Sequence, residues 1–207
     1  CISEFHREFY LSEGADPDKL FVVYCGIDPS HFTPVRRKRP EGAPMRILSS
    51  GRLVEKKGFD VFIDALALLR ERGHDFEAVI AGSGPLEADL RDRIAARGLG
   101  DSVTLTGEAL AQEDIPAFMA TGDIYTLPCQ RAADGDIDGL PQMLVEAMAC
   151  GLPSVSTRLV GIPDLISDGE TGLLIDPEDP VALAGALERI ANDPDLADRL
   201  AAGGRQR

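Results

Sequence analysis

The sequence lacks the features that mark membrane-spanning and disulfide-stabilised proteins. It has no tryptophan, its aromatic content is 5%, and its four cysteines are scattered without a C-x-x-C pair. No histidine stands near them at zinc spacing. No apolar run approaches the about 20 residues of a transmembrane helix, and no signal peptide is visible. These absences favour reduced cysteines and a cytoplasmic protein over a disulfide framework or a membrane span.

Basic residues are also scarce, because 21 Lys and Arg stand against 35 Asp and Glu, giving a net charge of -14. This balance argues against nucleic acid as a partner, since a phosphate backbone requires a basic face. A small anionic ligand remains compatible with it, because such a ligand needs only a few cations. The 207 residues, 44% of them hydrophobic, suffice for one sizeable domain. The chain opens without Met, and we expect it to be a fragment of a longer protein.

Strand-like apolar segments alternate with amphipathic segments through most of the chain. A helix over 3–13 and a strand over 20–24 are predicted first. The regular strands are predicted over residues 45–50, 76–82, 102–107, 123–128, 153–157 and 172–175. The helices between and after them are predicted over 59–72, 86–97, 115–121, 141–150, 181–192 and from about 195. This order predicts an α/β fold with a doubly wound, Rossmann-like parallel sheet, in which ligands bind at the carboxyl ends of the strands.

Cations gather directly after the first regular strand, in the stretch SGRLVEKKGFD. Gly51 permits a tight turn, and Arg52, Lys56 and Lys57 follow at the entrance to a helix. In an acidic chain this grouping is consistent with a phosphate site supported by the helix N-terminus. On these residues alone, a solvated basic turn is slightly favoured.

Two glycines follow the second regular strand, in AGSGPLE. Gly82 and Gly84 would let a ligand approach the backbone closely, although a plain tight turn explains them too. Glu87 stands where the dinucleotide fingerprint G-x-G-x-x-G needs its last glycine. The sequence therefore disfavours an NAD-type Rossmann domain.

The stretch DGLPQMLVEAMACGLP places two carboxylates around the start of a helix. Pro141 suits the first helical turn, and the helix should end near Cys150. Glu146 interrupts the apolar surface of this helix, where an unpaired buried carboxylate is costly. We therefore expect Glu146 to face water or hydrogen-bond donors such as ligand hydroxyls. Asp138, just before the helix, is expected to face the same crevice.

Three motifs together resemble the retaining glycosyltransferases of the GT-B fold, and specifically the GT4 family, over about residues 20–202. They are G-R-L-x-x-x-K-G at 51–58, G-x-G-P-L at 82–86 and the acid-x7-acid element from Asp138 to Glu146. The stretches VEAMACGLPSVST and GIPDLISDGETGLLIDPED are also similar to the family. The resemblance implies the C-terminal half of a GT-B fold. Residues 1–40 would be the entry segment and linker from an N-terminal acceptor domain, and 41–207 a nucleotide-sugar-binding domain truncated at its C-terminus.

The resemblance also implies a role for each matching residue. Arg52 and Lys57 would clamp the donor diphosphate and stabilise the leaving nucleotide, in place of a metal ion. Glu146 would bind the ribose hydroxyls, and Asp138 the hydroxyls of the transferred sugar. The turn 107–109 would lie near the base, and backbone N–H groups at 140–144 near sugar and phosphate. The further positions implied to line the donor site are Gly51, Gly82, Gly84, Gly107, Glu108, Ala109, Gly139, Leu140, Gln142, Met143 and Leu144.

The implied activity is transfer of a sugar, with retention, from a UDP- or GDP-sugar to an acceptor hydroxyl, without a metal or other cofactor. Bacterial polysaccharide or glycolipid assembly is the implied setting, and the fragment alone is expected to be inactive. The alternatives are the nucleotide-sugar-binding module of a GT-B-fold epimerase and a non-catalytic nucleotide-binding domain. The family usually has Glu as the first acid. Asp138 is one methylene shorter, so we expect a different donor preference.

The acidic loop before Asp138 also resembles a metal site. From Asp134 the sequence follows the D-x-D-x-D-G opening of an EF-hand, but position 12 is Val145 and the glutamate comes one place later. A strand rather than a helix is predicted before this loop. A solvated acidic loop is therefore favoured over a calcium site or the D-x-D motif of a metal-dependent transferase. The sequence D-G-D at 134–136, followed by an aspartate and a glycine at 138–139, resembles exopolysaccharide-assembling members of the family.

The basic run PVRRKRP, over 34–40, has two interpretations. A solvated linker is favoured by its flanking prolines. Contact with an anionic membrane is the alternative, which would make the full-length protein peripheral at the inner membrane face.

Overall fold

The computed structural model describes residues 1–34, 39–40 and 42–207. Six strands form one parallel sheet in the order β3-β2-β1-β4-β5-β6. Their bounds are β1 Met45–Ser50, β2 Phe76–Ala81, β3 Val103–Leu105, β4 Ile124–Leu127, β5 Ser154–Thr157 and β6 Leu173–Ile175. The chain winds outward from β1 to β3, returns to place β4 beside β1, and then winds outward on the other side. The predicted doubly wound parallel sheet is confirmed, with its switch point between β1 and β4.

Helices connect the strands. Their bounds are α1 Glu4–Ser12, α2 Phe59–Glu71, α3 Glu87–Ala96, α4 Ile115–Met119, α5 Gln142–Ala149, α6 Ile162–Leu165, α7 Pro180–Asn192 and α8 Pro194–Gln206. Short 3₁₀ helices lie at Pro17–Lys19, Pro29–His31, Glu55–Lys57 and Gln112–Asp114. The predicted helices are confirmed to within about two residues, whereas α6 and the 3₁₀ helices were not predicted.

The core lies between the sheet and two groups of helices. On one side α2 packs against α3 and α7, and on the other α5 packs against α4 and α8. Every residue of β4, β5 and β6 is buried. This explains why the strands are continuous apolar or small runs rather than alternating ones.

Buried hydroxyl groups tie the carboxyl ends of the central strands together. Ser49 Oγ donates to Thr126 O, and Ser156 Oγ donates to Leu127 O, both at 2.6 Å. Thr157 Oγ1 donates to Cys129 O at 2.6 Å. These bonds satisfy polar groups away from water and fix the points at which the loops after β1, β4 and β5 begin.

The predicted strand over 20–24 is wrong. These residues join no sheet. Their backbone bonds in the described ranges are a turn bond from Leu20 N to Pro17 O and two bonds with residue 1, Cys1 N to Phe21 O and Val23 N to Cys1 O. Phe21 and Val23 are 70% and 71% exposed. A strand needs a neighbour that completes its hydrogen-bond ladder, and within the described residues these five have none.

The basic linker predicted over 34–40 lies mostly on residues 35–38, which are outside the described residues. The alternative of a membrane contact concerns the same residues. Among the helices of the described ranges, none combines the length and the apolar character needed to cross a bilayer.

Candidate functional site

A cluster of two lysines and two aspartates occupies the carboxyl ends of β1 and β4. Lys57 Nζ lies 2.6 Å from Asp138 Oδ2, and Lys56 Nζ lies 3.3 Å from Asp138 Oδ1. Lys56 Nζ also lies 3.0 Å from Asp136 Oδ2. The side chains of Lys57 and Asp138 are each only 14% exposed. Neighbouring strands thus bring together two residues that the sequence predicted to share one crevice.

The lysine loop is fixed directly onto the loop after β4. Gly58 has φ +65°, and a Cβ added to it would lie 1.9 Å from Pro128 O. Gln130 N donates to Lys56 O at 3.0 Å, and Gln130 Nε2 donates to Glu55 O at 3.0 Å. Glycine is therefore required at position 58, both for its backbone conformation and for this approach.

Gly51 and Arg52 complete the cationic loop. A Cβ on Gly51 would lie 3.4 Å from Lys57 Cε, so the lysine side chain passes over this glycine. Arg52 is exposed, and its side chain makes no hydrogen bond or ion pair within ranges 1–34, 39–40 and 42–207. The guanidinium is thus available to an anion beside Lys57.

Gly82 and Gly84 lie against the loop after β1. A Cβ on Gly82 would lie 1.9 Å from Gly51 O, and one on Gly84 would lie 2.5 Å from Leu53 O. The backbones are joined by a bond from Leu53 N to Ser83 O of 2.9 Å. The structure thus gives these glycines a packing role against the chain's own β1 loop, and the approach of a ligand to them stays a prediction.

The turn after β3 lies beside the loop after β2. Thr106 Oγ1 accepts from Gly82 N and Glu108 N, both at 3.2 Å. Gly107 has φ +74°, and Glu108 and Ala109 are exposed beyond it. The three residues predicted to lie near a base thus stand at the same edge of the sheet as the lysines.

Glu146 is 1% exposed and has two unequal oxygens. Oε1 accepts a hydrogen bond of 3.1 Å from Gln112 Nε2, whereas Oε2 is buried without a partner in the described part of the chain. Burial raises the pKa of this carboxyl above its ordinary value, and the amides of Gln112 and Gln142 oppose that rise. We expected Glu146 to face water or hydrogen-bond donors, and within the described residues a donor is found for Oε1 but not for Oε2.

Gln112 was missed by the sequence interpretation. It is an exposed residue of the 3₁₀ helix that leads into α4, 34 positions from Glu146. Glu113 and Asp114, which follow it, are polar and exposed as well, so no pattern distinguishes it. Only the fold, which sets the β3–α4 connection against α5, identifies it.

The first turn of α5 has no side-chain cap, so its leading N–H groups, at Gln142 and Met143, stay available to a ligand. Leu144 differs from them. Its N–H donates to Pro141 O at 3.1 Å, and its side chain is fully buried. The expectation that the Leu144 N–H faces a ligand is corrected, because that group is used within the helix. Leu140, just ahead of the helix, is half-buried.

The loop at Gly139 also contacts the start of the chain. Gly161 N donates to Gly139 O at 3.0 Å, and a Cβ on Gly139 would lie 2.8 Å from Ile2 Cδ1. Glu4 N donates to Asp164 Oδ2 at 2.7 Å. The N-terminal residues therefore lie against the same loop that carries Asp138.

The acidic loop is organised around the lysines. Asp134 Oδ1 accepts from Asp136 N at 2.9 Å, while the carboxylate of Asp136 faces Lys56. The loop follows β4, so the helix that an EF-hand requires before it is replaced by a strand. No group of three His, Cys, Asp or Glu side chains suited to a metal ion is found among the residues that the structure describes.

Two other features lie around the site. All four cysteines are free, as predicted, and the Cys129 thiol donates to Asp138 Oδ2 at 3.6 Å. A cavity of about 540 Å³ lies at the opposite edge of the sheet, where residues such as Asp123 and Leu152 precede β4 and β5. Because ligands of doubly wound sheets bind at the carboxyl ends, the lysine–aspartate edge is the candidate site.

Comparisons with known proteins agree with this geometry. The family model described as glycosyl transferases group 1 matches residues 34–207. The amylovoran biosynthesis glycosyltransferase AmsK of Erwinia amylovora is 41% identical over 190 residues, which cover 92% of this chain and 46% of that protein. The chain thus spans about half the length of the curated relatives it matches.

Two solved structures have the same fold at low identity. The C-terminal domain of the glycosyl transferase group 1 family protein LpcC of Francisella tularensis has a TM-score of 0.75 at 23% identity, covering 87% of this chain and 95% of that one. HepE of Anabaena, in complex with UDP-glucose, has a TM-score of 0.83 at 22% identity, covering 100% of this chain and 57% of that one.

Proposed function

The chain belongs to the glycosyl transferases group 1 family, and from that premise we propose that it binds a nucleoside-diphosphate sugar at the carboxyl ends of β1, β3 and β4. The chain would be the donor-binding domain of a retaining, GT4-type glycosyltransferase. The observation that carries this proposal is the contact of Lys57 with Asp138 at the carboxyl ends of β1 and β4, just ahead of the helix α5 that carries Glu146.

The cationic loop supports binding of the diphosphate. Within the described residues the Arg52 guanidinium has no partner, and the side chain of Lys57 passes over Gly51, the residue before Arg52. A pair of fixed cations stabilises negative charge as it develops on a departing nucleoside diphosphate. We propose that they do so without a metal ion, and that chelation with EDTA leaves donor binding and transfer unchanged.

Glu146 supports binding of the ribose. Its Oε2 is a buried acceptor with no donor among the described residues, and such a group is costly unless a ligand supplies the hydrogen bond. Two vicinal ribose hydroxyls are suitable donors. Asp138 would accept from hydroxyls of the transferred sugar, once the diphosphate draws Lys57 away from it.

The proposal extends to the whole protein. A named relative acts in amylovoran biosynthesis, and an Anabaena protein of the same fold binds UDP-glucose. We propose a UDP- or GDP-sugar donor, an acceptor hydroxyl in polysaccharide or glycolipid assembly, and an N-terminal acceptor domain in the same protein. Large apolar side chains exposed within 1–24 suit contact with that domain. This chain alone would bind donor weakly and transfer little, and the full-length protein would act at the inner membrane face.

The test is a calorimetric binding panel of UDP, GDP and ADP and their sugars, against the wild-type chain, Arg52→Ala and the control Arg199→Ala. Arg199 is exposed on α8. We expect one nucleotide diphosphate to bind the wild-type chain and the control equally and Arg52→Ala at least about tenfold more weakly. If none of them binds, or if Arg52→Ala binds like wild type, the proposal is wrong. An epimerase would instead release a free sugar of altered configuration from the donor, which chromatography of the products detects.

A further inference from the structure

Within the described residues, one hydrogen bond distinguishes the two oxygens of Glu146. Gln112 Nε2 donates to Oε1 at 3.1 Å, and Oε2 remains without a partner in the described residues. The terminal torsion of a glutamate is broad and roughly two-fold, so packing alone sets it weakly. The bond from Gln112 therefore decides which oxygen accepts a hydrogen bond and which is left buried without one.

Gln112 has no other evident structural task. It is exposed, it contributes nothing to the buried core, and its only side-chain hydrogen bond in the described ranges is the one to Glu146. The glutamate, by contrast, is almost fully buried. An exposed amide that donates to a buried carboxylate indicates a role in setting the orientation and ionised form of that carboxylate rather than in stabilising the fold.

The position of Gln112 in the chain links it to the rest of the candidate site. The connection from β3 to α4 carries the turn 107–109 and then the 3₁₀ helix Gln112–Asp114. Thr106 bonds this connection to Gly82 N, beside the lysine loop. The connection that carries Gln112 is therefore bonded to the loop after β2, which lies beside the lysine loop at the same edge of the sheet.

We propose that Gln112 is a positioning residue of the donor site: it fixes the Glu146 carboxylate through Oε1 and so presents Oε2 to a ribose hydroxyl of the nucleotide. This inference rests on the proposed function. A direct bond from an uncharged amide to a carboxylate also favours the ionised form, which accepts hydrogen bonds from hydroxyls.

The alternative is that Gln112 occupies the place of a ribose hydroxyl and must leave when the nucleotide binds. The two roles predict opposite effects of removing Gln112 on the affinity for a ribonucleotide. Removal of a positioning residue weakens binding of a ribonucleotide, whereas removal of an occupying residue strengthens it.

The experiment compares two ligands, UDP and 2′,3′-dideoxy-UDP, by calorimetry on the 207-residue chain, or the corresponding GDP pair if the chain prefers GDP. Wild type, Gln112→Ala, Gln112→Glu and the neighbouring exposed control Glu113→Ala are measured. We expect the preference of wild type for the ribose form to fall about fivefold in Gln112→Ala. Gln112→Glu should lose at least as much, because two carboxylates then face each other. Affinity for the dideoxy form should stay constant, and Glu113→Ala should match wild type.

A second measurement separates positioning from a general effect on the fold. In a Glu146→Gln background, Gln112→Ala should change the ribose preference no further, because the group through which it acts is gone. The inference is overturned if UDP binds more tightly to Gln112→Ala, if both ligands weaken equally, or if the ribose preference is unchanged. In each of those cases the proposed function still stands, since wild type binds the nucleotide. If wild type binds neither UDP nor GDP, the proposed function itself fails and this inference with it.

Discussion

Lys57 Nζ and Asp138 Oδ2 are 2.6 Å apart, so the cation and the acid assigned to different parts of the donor are bound to each other. A diphosphate that binds Lys57 must compete with this carboxylate. The ion pair thus holds the cation in place before the ligand arrives, at a cost to the affinity for the diphosphate.

Asp138→Asn is expected to have opposite effects on nucleotide and sugar nucleotide. Removal of the competing charge should tighten UDP binding by about three- to tenfold, the scale of a partly exposed ion pair. The additional affinity that the sugar of a UDP-sugar contributes should fall, because the asparagine is a weaker acceptor for its hydroxyls. Calorimetry with UDP and UDP-glucose measures both.

The control is Asp136→Asn, which removes a contact of Lys56 and leaves the Lys57–Asp138 pair intact. UDP affinity should stay within about twofold of wild type. Weaker UDP binding by Asp138→Asn would contradict the competition between phosphate and carboxylate.

Gly58→Ala is expected to destabilise the fold far more than an alanine at another left-handed glycine. At Gly58 the added Cβ meets Pro128 O at 1.9 Å, so the backbone must move in addition to the strain of a positive φ. Gly73 has φ +83° but nothing within 4 Å of an added Cβ. We expect Gly73→Ala to cost about 1 kcal/mol and Gly58→Ala at least about 3 kcal/mol of unfolding free energy. Urea unfolding measures both, and equal losses would show that the Pro128 contact yields at no cost.

The raised pKa of the buried Glu146 carboxyl should affect how the free energy of unfolding depends on pH. Burial raises its pKa in the folded chain. The folded state therefore holds the proton to a higher pH than the unfolded state, and this group's contribution falls as the pH rises from the ordinary glutamate pKa through the raised one. Glu146→Met should become increasingly more stable than wild type across that window, by about 1–3 kcal/mol at its upper end. Urea unfolding at a series of pH values tests this.

The exposed residue Glu113 provides the comparison for that series. Glu113→Met removes one carboxyl from an exposed position and is the matched control for the change from glutamate to methionine. A constant difference between Glu146→Met and wild type would mean that Glu146 titrates alike in the folded and unfolded states.

The four thiols should differ sharply in reactivity. Cys25 is exposed, whereas Cys129 and Cys150 are buried, and burial raises the pKa of both, that of Cys150 to about 11. Because the thiolate is the reactive form, iodoacetamide at pH 8 should label Cys25 first and reach Cys129 and Cys150 only after unfolding. Mass spectrometry of peptides gives the order. Early labelling of Cys129 in the folded chain would contradict the packing around Asp138.

The regular strands and helices were predictable because their periodicity and boundary residues agree with the fold. The segment 20–24 was not, since an apolar alternation forms a strand only where a neighbouring strand completes its hydrogen-bond ladder, and none does so within the described residues. Gly82 and Gly84 were recognised as unusual, but what lies beside them is decided by the path of the β1 loop.

The candidate site was also only partly predictable from the sequence. Motif spacing identified Lys57, Asp138 and Glu146, because those side chains carry charge at the strand ends. The pairing of Lys57 with Asp138 and the bond from Gln112 to Glu146 are properties of the packed molecule. No local pattern encodes contacts between residues so distant in sequence.

The position of β4 beside β1 has a consequence during synthesis. Pairs such as Lys56 and Asp136 are 80 positions apart, and one edge of β1 stays open until residues 124–127 have been made. At about 5–20 residues per second, translation of the intervening segment lasts on the order of 4–15 s. Throughout that interval β1 can pair with β2 on one edge only, and the lysine loop lacks its carboxylates. The proposed nucleotide site should therefore form late in synthesis, only after β4 and the loop that carries Asp138 have been made.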